Sequence, residues 1–509
     1  MYFEDKILMG KGEKQAWIFP QMANRHGLIA GATGTGKTVS LKVLAESLSD
    51  MGVPVFLADI KGDISGMCEP GEASDKVKER LTKLGVNPAD FQFRACPVQF
   101  WDVYGEGGIP VRTTISEMGP MLLARLLELS PTQESVLSMV FRIADDNKLL
   151  LIDWKDLKAM VKHVSDNCRE YSQEYGNITK QSIAVIQREL LAAENDGVDQ
   201  FFGEPNLQIS DWMQTVNGRG MVNVLHCVKL FQKPIAYSTF MLWLLATLFE
   251  ELPEIGDPDK PKMVFFFDEA HLLFQNAPKV LLQKVDQVVK LIRSKGVGVY
   301  FITQNPQDIP NSVLAQLGNR IQHALRAYTP TEQKALRAAA SSFRPNPAFD
   351  TQKTLTELGT GEALVSFLTD RGQPSIVERV KILPPGCSMD AADEHSRQRV
   401  IRGSSLYRKY AQSIDRQSAY EDLQQKEMEN ARAAAIAREH EAQQKERAQL
   451  EKERAQLEKE KAKLESSRSR GGSRRMTPVE RMTSSAASSF GRIITNFLCR
   501  SLLGNLMKR

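Results

Sequence analysis

A glycine-rich stretch near the start of the chain constrains the fold more than any other feature. Residues 27–38 read GLIAGATGTGKT, which fits the spacing G-x-x-x-x-G-K-[ST]. An apolar run precedes this stretch and the helical pattern TVSLKVLAESLSDMG follows it, so the motif joins a predicted strand to a predicted helix. Backbone amides in such a loop, at a helix N-terminus, bind phosphate. The expected nucleotide-binding residues are Gly31, Ala32, Thr33, Gly34, Thr35, Gly36, Lys37 and Thr38.

Two side chains of this loop carry the expected chemistry of ATP and Mg²⁺ binding. Lys37 is expected to reach the β- and γ-phosphates, and the Thr38 hydroxyl to coordinate Mg²⁺. ATP and Mg²⁺ are therefore the predicted cofactors.

A second motif, KMVFFFDEAHLLF, supplies acidic residues at the end of an apolar strand. Asp268 is predicted to hold Mg²⁺, partly through water, and Glu269 to orient and polarise the attacking water. Asp268 could instead cap the helix that follows. His271 suits either a place near the γ-phosphate or a packing role.

A third motif, LIRSKGVGVYFITQNP, ends a predicted strand in a polar pair. The Gln304 amide could bond both the γ-phosphate and the attacking water, and so sense whether the phosphate is attached. Asp59, Lys61 and Asp63 follow the second strand at the same expected edge, either as support for the site or as polar loop residues.

Residues 1–385 alternate apolar, β-like runs with helical stretches, which predicts a mainly parallel sheet covered on both faces. The runs are VPVFLAD, KMVFFFDEAH, GVGVYFITQ, IQHALRA and GEALVSFL. Residues 112–250 are mostly helical in pattern and are predicted to be a helical insertion into this domain. The fold class is therefore α/β, with a long C-terminal helix and tail after the sheet domain.

The remaining chain changes texture several times. Residues 386–403 are predicted to be a linker, and 404–465 a long charged helix. Its heptads place Leu450, Leu457 and Leu464 opposite charged positions, a poor coiled-coil seam, so a single exposed helix is favoured over weak self-association. Residues 466–489 read as a basic, Ser-rich disordered linker. Residues 490–509 form an amphipathic stripe that suits a membrane surface, a protein partner or the chain's own core.

Composition limits the compartment and the class. The six cysteines include no C-x-x-C pair, which argues against a structural zinc site or a disulfide framework and for a reducing compartment. No run of about 18 apolar residues occurs, so a cytoplasmic protein is expected, peripheral at a membrane only through its C-terminal helix. Residues 397–509 hold 25 Lys/Arg and 14 Asp/Glu, a net charge of +11 that leaves −7 for the rest. A strongly basic nucleic-acid-binding body is thus excluded by composition.

The order of these motifs resembles the HerA/FtsK superfamily, and more closely its bacterial HerA-like subgroup. The residues that carry the resemblance are the loop at Gly31, then DIKGD, DEAH, RSKGVGV with TQNP, and GEALVSF. The resemblance covers residues 1–385 and implies an additional-strand P-loop fold of the RecA/HerA-like type. It also implies a homo-hexameric ring that moves double-stranded DNA.

The resemblance further suggests Arg293 as an arginine finger that acts on a neighbouring subunit, with Arg320 and Arg326 as rivals. A surface Arg at a helix C-terminus is the plain alternative for Arg293. Arg112 fits a phosphate or DNA contact less well. Two other functions stay open: a polypeptide-handling, secretion-type ATPase, and a nucleotide-gated scaffold whose C-terminal arm binds a protein partner or a membrane surface.

Overall fold

The computed structural model describes residues 1–275 and 279–468. The predicted amphipathic segment 490–509, and the predicted linker from residue 469 onward, lie outside the described residues. The chain divides into two units, Met1–Gln425 and Lys426–Arg509, of which the second is described as far as residue 468.

The strands in the described part of the chain include many short ones. They are β1 (Tyr2–Phe3), β2 (Lys6–Lys11), β3 (Gln15–Ile18), β4 (Gly27–Ala30), β5 (Val55–Asp59), β6 (Val98–Asp102), β7 (Ile109–Pro110), β8 (Thr215–Val216), β9 (Arg219–Gly220), β10 (Val222–His226), β11 (Met263–Phe267), β12 (Val297–Thr303), β13 (Asn319–Gln322), β14 (Glu362–Ser366) and β15 (Glu378–Ile382).

The α-helices run between and after these strands. They are α1 (Lys37–Asp50), α2 (Asp75–Leu84), α3 (Ile115–Leu126), α4 (Pro131–Asp146), α5 (Trp154–Asp166), α6 (Cys168–Tyr175), α7 (Lys180–Asn195), α8 (Ile209–Trp212), α9 (Pro234–Glu251), α10 (His271–Phe274), α11 (Lys279–Leu291), α12 (Asn311–Leu314), α13 (Pro330–Ser341), α14 (Thr351–Glu357), α15 (Glu394–Gly403), α16 (Ser405–Tyr410) and α17 (Ala419–Arg468).

One large sheet organises the first unit. Its order is β1-β2-β15-β14-β13-β4-β12-β11-β5-β10-β6-β7, with β3 paired to β2. All pairs from β13 to β7 are parallel, whereas β13 to β1 join through antiparallel pairs. Because β12 lies between β4 and β11, this is the additional-strand arrangement. The predicted mainly parallel α/β fold is confirmed.

The register brings the ends of the central strands to one edge. Thr303 of β12 pairs with Ala30 of β4, and Phe267 of β11 pairs with Phe301 of β12. The strands themselves are buried on both faces, as their continuous apolar sequences require. The loops that follow β4, β12, β11 and β5 therefore emerge side by side.

The expected helical insertion at 112–250 is wrong in one respect. The segment contains six α-helices from α3 to α8, and α9 begins at Pro234, but it also contains the central strand β10. Val224 of β10 pairs with Leu57 of β5 on one side and Phe100 of β6 on the other. The apolar run VNVLH is short and lies among long helical patterns, so its β character was not recognised.

The boundaries after residue 385 also differ from expectation. The segment 386–403, predicted to be a linker, contains α15. The helix predicted from residue 404 breaks after α16 and resumes at Ala419 as α17. Tertiary contacts explain the break, because the Tyr410 hydroxyl donates to Asp211 at 2.5 Å and the Ser418 hydroxyl donates to Asp156 at 2.5 Å. These contacts hold residues 405–418 against the rest of the first unit, to which they belong.

In the second unit, α17 continues as a regular helix with nearly all its described side chains exposed. Pairs one turn apart such as Glu441 and Lys445, 2.9 Å from carboxylate to ammonium, stabilise a helix that lacks a core of its own. Within residues 1–275 and 279–468, no helix combines the length and apolar character needed to cross a bilayer.

Candidate nucleotide-binding site

The glycine-rich loop wraps an open cradle between β4 and α1. Gly31, Gly34 and Gly36 have φ angles of 152°, 75° and 112°, which favour glycine at each position. A Cβ on Gly31 would lie 2.5 Å from the Cβ of His323, so this position has no room for a side chain. Among the described residues, the amides of Thr33, Gly34 and Thr35 have no hydrogen-bond acceptor. The loop thus presents free donors at the start of a helix.

Lys37 already occupies the concavity of this loop. Its Nζ donates to the carbonyl oxygens of Gly31 at 2.7 Å and Ala32 at 3.1 Å. Burial lowers the pKa of Lys37, and the nearby carboxylates of Glu269 and Asp268 oppose that shift. The ammonium is therefore placed where phosphate oxygens would offer it better partners than carbonyls.

A buried histidine that sequence reasoning missed lies beneath the loop. The Nδ1 of His323 is 2.9 Å from the Glu362 carbonyl oxygen, and its Nε2 is 2.8 Å from the Ser40 hydroxyl on α1. Because a carbonyl only accepts, Nδ1 carries the proton and Nε2 accepts from Ser40. Burial lowers the pKa of His323 to about 4, so the ring is neutral at physiological pH. Only its position after β13 would have suggested this role.

Asp268 and Glu269 follow β11 at the same edge. Glu269 has a φ of 47°, unusual for a residue other than glycine, and its amide donates to Asp268 Oδ1 at 2.9 Å. The sharp turn places two carboxylates next to the loop instead of starting a regular helix directly. The predicted capping role of Asp268 is thus limited to this single turn.

The two carboxylates lie in a buried site, where the nearby cations Lys61 and Lys37 only partly offset the cost of burial. Burial, with the charge of Glu269, raises the pKa of Asp268 to about 7, although Lys61 and Lys37 act in the opposite direction. Glu269 Oε2 is buried without a hydrogen-bond partner, and His271 Nδ1 lies 3.3 Å from it. A buried carboxylate oxygen without a donor is a feature that a bound cation or water would satisfy.

Gln304 lies at the end of β12, between the loop strand and the carboxylate strand. Its side chain is exposed. The hydroxyl of the preceding residue, Thr303, donates to the Asp308 carboxylate at 3.2 Å. The order β4-β12-β11 puts this amide between the phosphate cradle and Glu269. That location suits a group that contacts both the terminal phosphate and a water.

The acidic residues after β5 divide into support and contact. The Asp59 carboxylate accepts the amides of Gly62 at 2.7 Å and Ser65 at 3.1 Å, so it shapes the turn. Burial raises the pKa of Asp59 to about 6. Lys61 is exposed at the edge, whereas the Asp63 carbonyl accepts from buried Lys42.

The arginine candidates occupy different places. Arg293 lies before β12, where its guanidinium forms a bidentate pair with Asp257 through bonds of 2.9 Å. Arg320 donates to three backbone carbonyl oxygens, which gives it a structural role. Arg326 follows β13 at the nucleotide edge, exposed and without a partner in the described chain. Arg112 donates to the Tyr410 carbonyl at 2.8 Å, so it is not a free cation.

The strand β12 separates Arg293 from the site of its own chain. Its seven residues, at about 3.3 Å each, put Arg293 about 20 Å from the nucleotide edge. Arg293 therefore lies far from the nucleotide edge of its own chain.

One further residue escaped sequence reasoning. The hydroxyl of buried Tyr237, on α9, donates to the Asp268 carbonyl oxygen at 2.7 Å. The residue lies in the apolar pattern of α9, which gives no hint of a polar contact.

These observations fit ATP and Mg²⁺. The free amides of residues 33–35 and Lys37 suit the phosphates, while Thr38 and Asp268 would supply the oxygen ligands that Mg²⁺ prefers. Glu269 Oε2 has no hydrogen-bond donor among the described residues, a feature that a water would satisfy.

Comparison with known proteins identifies relatives. A family model described as helicase HerA-like C-terminal matches residues 4–509. The DNA double-strand break repair helicase HerA of Saccharolobus solfataricus is 22% identical over 351 residues, covering 67% of this chain and 61% of that protein. The probable helicase MJECL08 of Methanocaldococcus jannaschii is 31% identical over 125 residues, 24% of this chain and 22% of that protein. The chain thus spans 61% of the length of the first relative and 22% of the length of the second.

Solved structures include a similar chain. The plasmid coupling protein TrwB, in complex with the non-hydrolysable ATP analogue ADPNP, has a TM-score of 0.49 and 14% identity. The alignment covers 74% of this chain and 89% of TrwB.

Proposed function

The chain belongs to the HerA-like helicase family, and on that premise we propose that it is an ATP-hydrolysing motor that moves double-stranded DNA. The observation that carries the proposal is the convergence of four features at one sheet edge: the Lys37 loop, Asp268, Glu269 and Gln304. Each performs a different task in phosphoryl transfer to water.

Hydrolysis follows from these positions. The amides of the loop and Lys37 would bind the β- and γ-phosphates, and Thr38 with Asp268 would hold Mg²⁺, which would neutralise charge on the phosphate oxygens. Glu269 Oε2 orients the attacking water and takes its proton. Gln304 donates its amide N–H to the terminal phosphate and accepts from the same water.

The cargo is inferred from relatives. Curated relatives are named as DNA repair helicases, and those names apply to them alone. The first unit carries no strongly basic composition, so DNA contact would rest on a few pore-facing cations in each subunit.

The position of Arg293 supports the proposal that the protein forms a ring. Because Arg293 lies about 20 Å from its own nucleotide edge, it would complete the site only from a neighbouring subunit. The proposed assembly is a homo-hexamer. The ion pair between Arg293 and Asp257 would open at the interface between subunits.

One observation favours a second function. The described part of α17 beyond residue 425 is a long, exposed, highly charged helix without a core. Such an arm suits a nucleotide-gated scaffold that holds a protein partner or an anionic surface.

DNA-stimulated ATP hydrolysis separates these functions. Long double-stranded DNA is expected to stimulate the steady-state ATPase rate severalfold, and the stimulation is expected to vanish at high salt. Glu269→Gln serves as the inactive control. A basal rate that ignores DNA would reject the DNA motor and favour the scaffold or a polypeptide cargo.

A further inference from the structure

A buried cluster outside the nucleotide site joins three distant parts of the chain. Glu46 on α1, Cys96 before β6 and Cys387 after β15 place one carboxylate oxygen and two sulfur atoms within 4.8 Å of one another. All three side chains are buried and both cysteines are free thiols. We propose that Glu46, Cys96 and Cys387 bind a zinc ion that ties α1 to the segment 384–389.

The donor set suits zinc. Two thiolates and one carboxylate match its preference for sulfur and oxygen, and zinc–sulfur bonds of about 2.3 Å bring tetrahedral ligands about 3.5–3.8 Å apart. The observed separations need a contraction of about 1 Å. A disulfide, with an S–S bond of about 2.05 Å, would require a closer approach of the two sulfur atoms than zinc does.

The backbone around the cluster is already held in place. Glu46 Oε2 accepts the amides of Gly386 at 2.8 Å and Cys387 at 3.2 Å. The amide of Cys96 donates to the Met67 carbonyl at 2.8 Å. Three chain segments thus reach the cluster in fixed register, which lowers the entropy lost on metal binding.

Cations nearby would stabilise the thiolates. Arg219 Nη2 lies 3.7 Å from Cys96 Sγ, and its Nε pairs with Asp50 at 2.9 Å. Lys42 lies one helical turn from Glu46, and its Nζ donates to three carbonyls, those of Asp63, Ser388 and Met389. The ammonium is therefore fully bonded and does not occupy the site.

Three protein ligands leave one position of a tetrahedral zinc ion for a water. A cavity of about 190 Å³ borders Glu46 and Gly386, on one side of the cluster. Zinc binds cysteine as the thiolate, so metal binding would displace a proton from each thiol.

The proposed zinc site would link the helix that follows the phosphate loop to the segment 384–389. The helix α1 begins at Lys37 in the phosphate loop and presents both Lys42 and Glu46 to residues 386–389. Zinc would reinforce that contact and stabilise the first unit. The three ligands are far apart in sequence, 50 residues from Glu46 to Cys96 and 291 residues from Cys96 to Cys387. The spacing of the cysteines therefore gave no indication of a zinc site.

The test uses the full-length protein produced without added chelator. Elemental analysis is expected to find about one zinc per chain, falling at least tenfold in Cys96→Ser and in Cys387→Ser. The matched control is Cys168→Ser, which removes another buried thiol, one bonded to the Ile178 carbonyl, and is expected to keep its zinc.

A second measurement does not depend on whether the variants fold. Titration of metal-free native protein with Co²⁺ is expected to give a thiolate charge-transfer band and tetrahedral ligand-field bands that saturate at about one equivalent. The native protein lacking zinc and showing no such bands would overturn the proposal. So would a Cys96–Cys387 disulfide in protein purified under reducing conditions.

Discussion

The hydroxyl of Tyr237 donates a hydrogen bond of 2.7 Å to the backbone carbonyl of Asp268, the residue that directly follows β11. Tyr237 belongs to α9, which packs against α3 and α10. The turn that holds Glu269 at a φ of 47° is therefore braced by the helical layer and not by the sheet alone. Movement at the carboxylates would reach α9 through this bond.

Removing this hydrogen bond is expected to slow hydrolysis more than it weakens nucleotide binding. Tyr237→Phe leaves the buried Asp268 carbonyl without its donor, which costs about 1–3 kcal/mol and loosens Glu269. We expect the ATPase kcat to fall roughly tenfold with ATP affinity changed less than about twofold.

The control for this variant is Tyr300→Phe. Tyr300 is another buried tyrosine, whose hydroxyl donates to the Ala23 carbonyl at 3.1 Å, at the far end of β12. It is expected to lose comparable stability and to keep its kcat. Equal kcat losses in the two variants would show that stability, not the Asp268 contact, explains the effect.

Metal-nucleotide binding is expected to release a proton from Asp268. Burial and Glu269 raise the pKa of this carboxyl from 3.8 to about 7. Because the folded state holds the proton more tightly, ionisation of Asp268 destabilises the free protein as the pH rises from about 4 to about 7, with no further loss above that window. A divalent cation favours the ionised form and so lowers the pKa.

Calorimetry of Mg²⁺–ATP binding measures that proton. Titrations in buffers of different ionisation enthalpy should show a proton released near pH 6.5 that is absent near pH 8.5. Asp268→Asn should lack the Asp268 share, whereas Asp59→Asn, at the other buried carboxylate, should keep it. Identical proton release in native protein and Asp268→Asn would refute the assignment.

The action of Arg293 across an interface is expected to appear as complementation. Arg293→Ala and Glu269→Gln are each expected to be inactive, because one lacks the finger and the other lacks the carboxylate. Mixed in equal amounts, they would form interfaces that join an intact site to an intact finger, restoring about one quarter of native activity by random assembly. Arg326→Ala mixed with Glu269→Gln is the comparison.

No recovery from the Arg293→Ala mixture, together with recovery from the Arg326→Ala mixture, would reassign the finger to Arg326. Arg320 is expected to fail differently, because it holds three carbonyls of its own chain, so Arg320→Ala would lower stability first.

Sequence patterns reached the residues whose chemistry is local. The glycine spacing around Lys37, the Asp-Glu pair after an apolar strand and the Thr-Gln at a strand end all depend on neighbours in sequence. The central strands β4, β5, β11, β12 and β14 were predicted for the same reason.

Other features depend on contacts that the sequence does not display. Tyr237 and His323 lie 31 and 283 residues from the groups they bond, Asp268 and Ser40. The strand β10 is buried between β5 and β6, and only that pairing distinguishes its short apolar run from the helices around it. The start of α17 at Ala419 is set by a contact of Ser418 with Asp156, far away in sequence.

Single-turnover hydrolysis of ATP by Glu269→Gln, compared with direct measurement of ATP affinity, is the most direct test of the proposed hydrolysis mechanism. We predict near-native ATP affinity and a hydrolysis rate reduced by about 10²–10⁴-fold, because the loop and Lys37 bind the phosphates while Glu269 alone activates the water. Lys37→Ala should instead lose affinity. Hydrolysis by Glu269→Gln at the native rate would contradict the account, since the water would then be activated elsewhere.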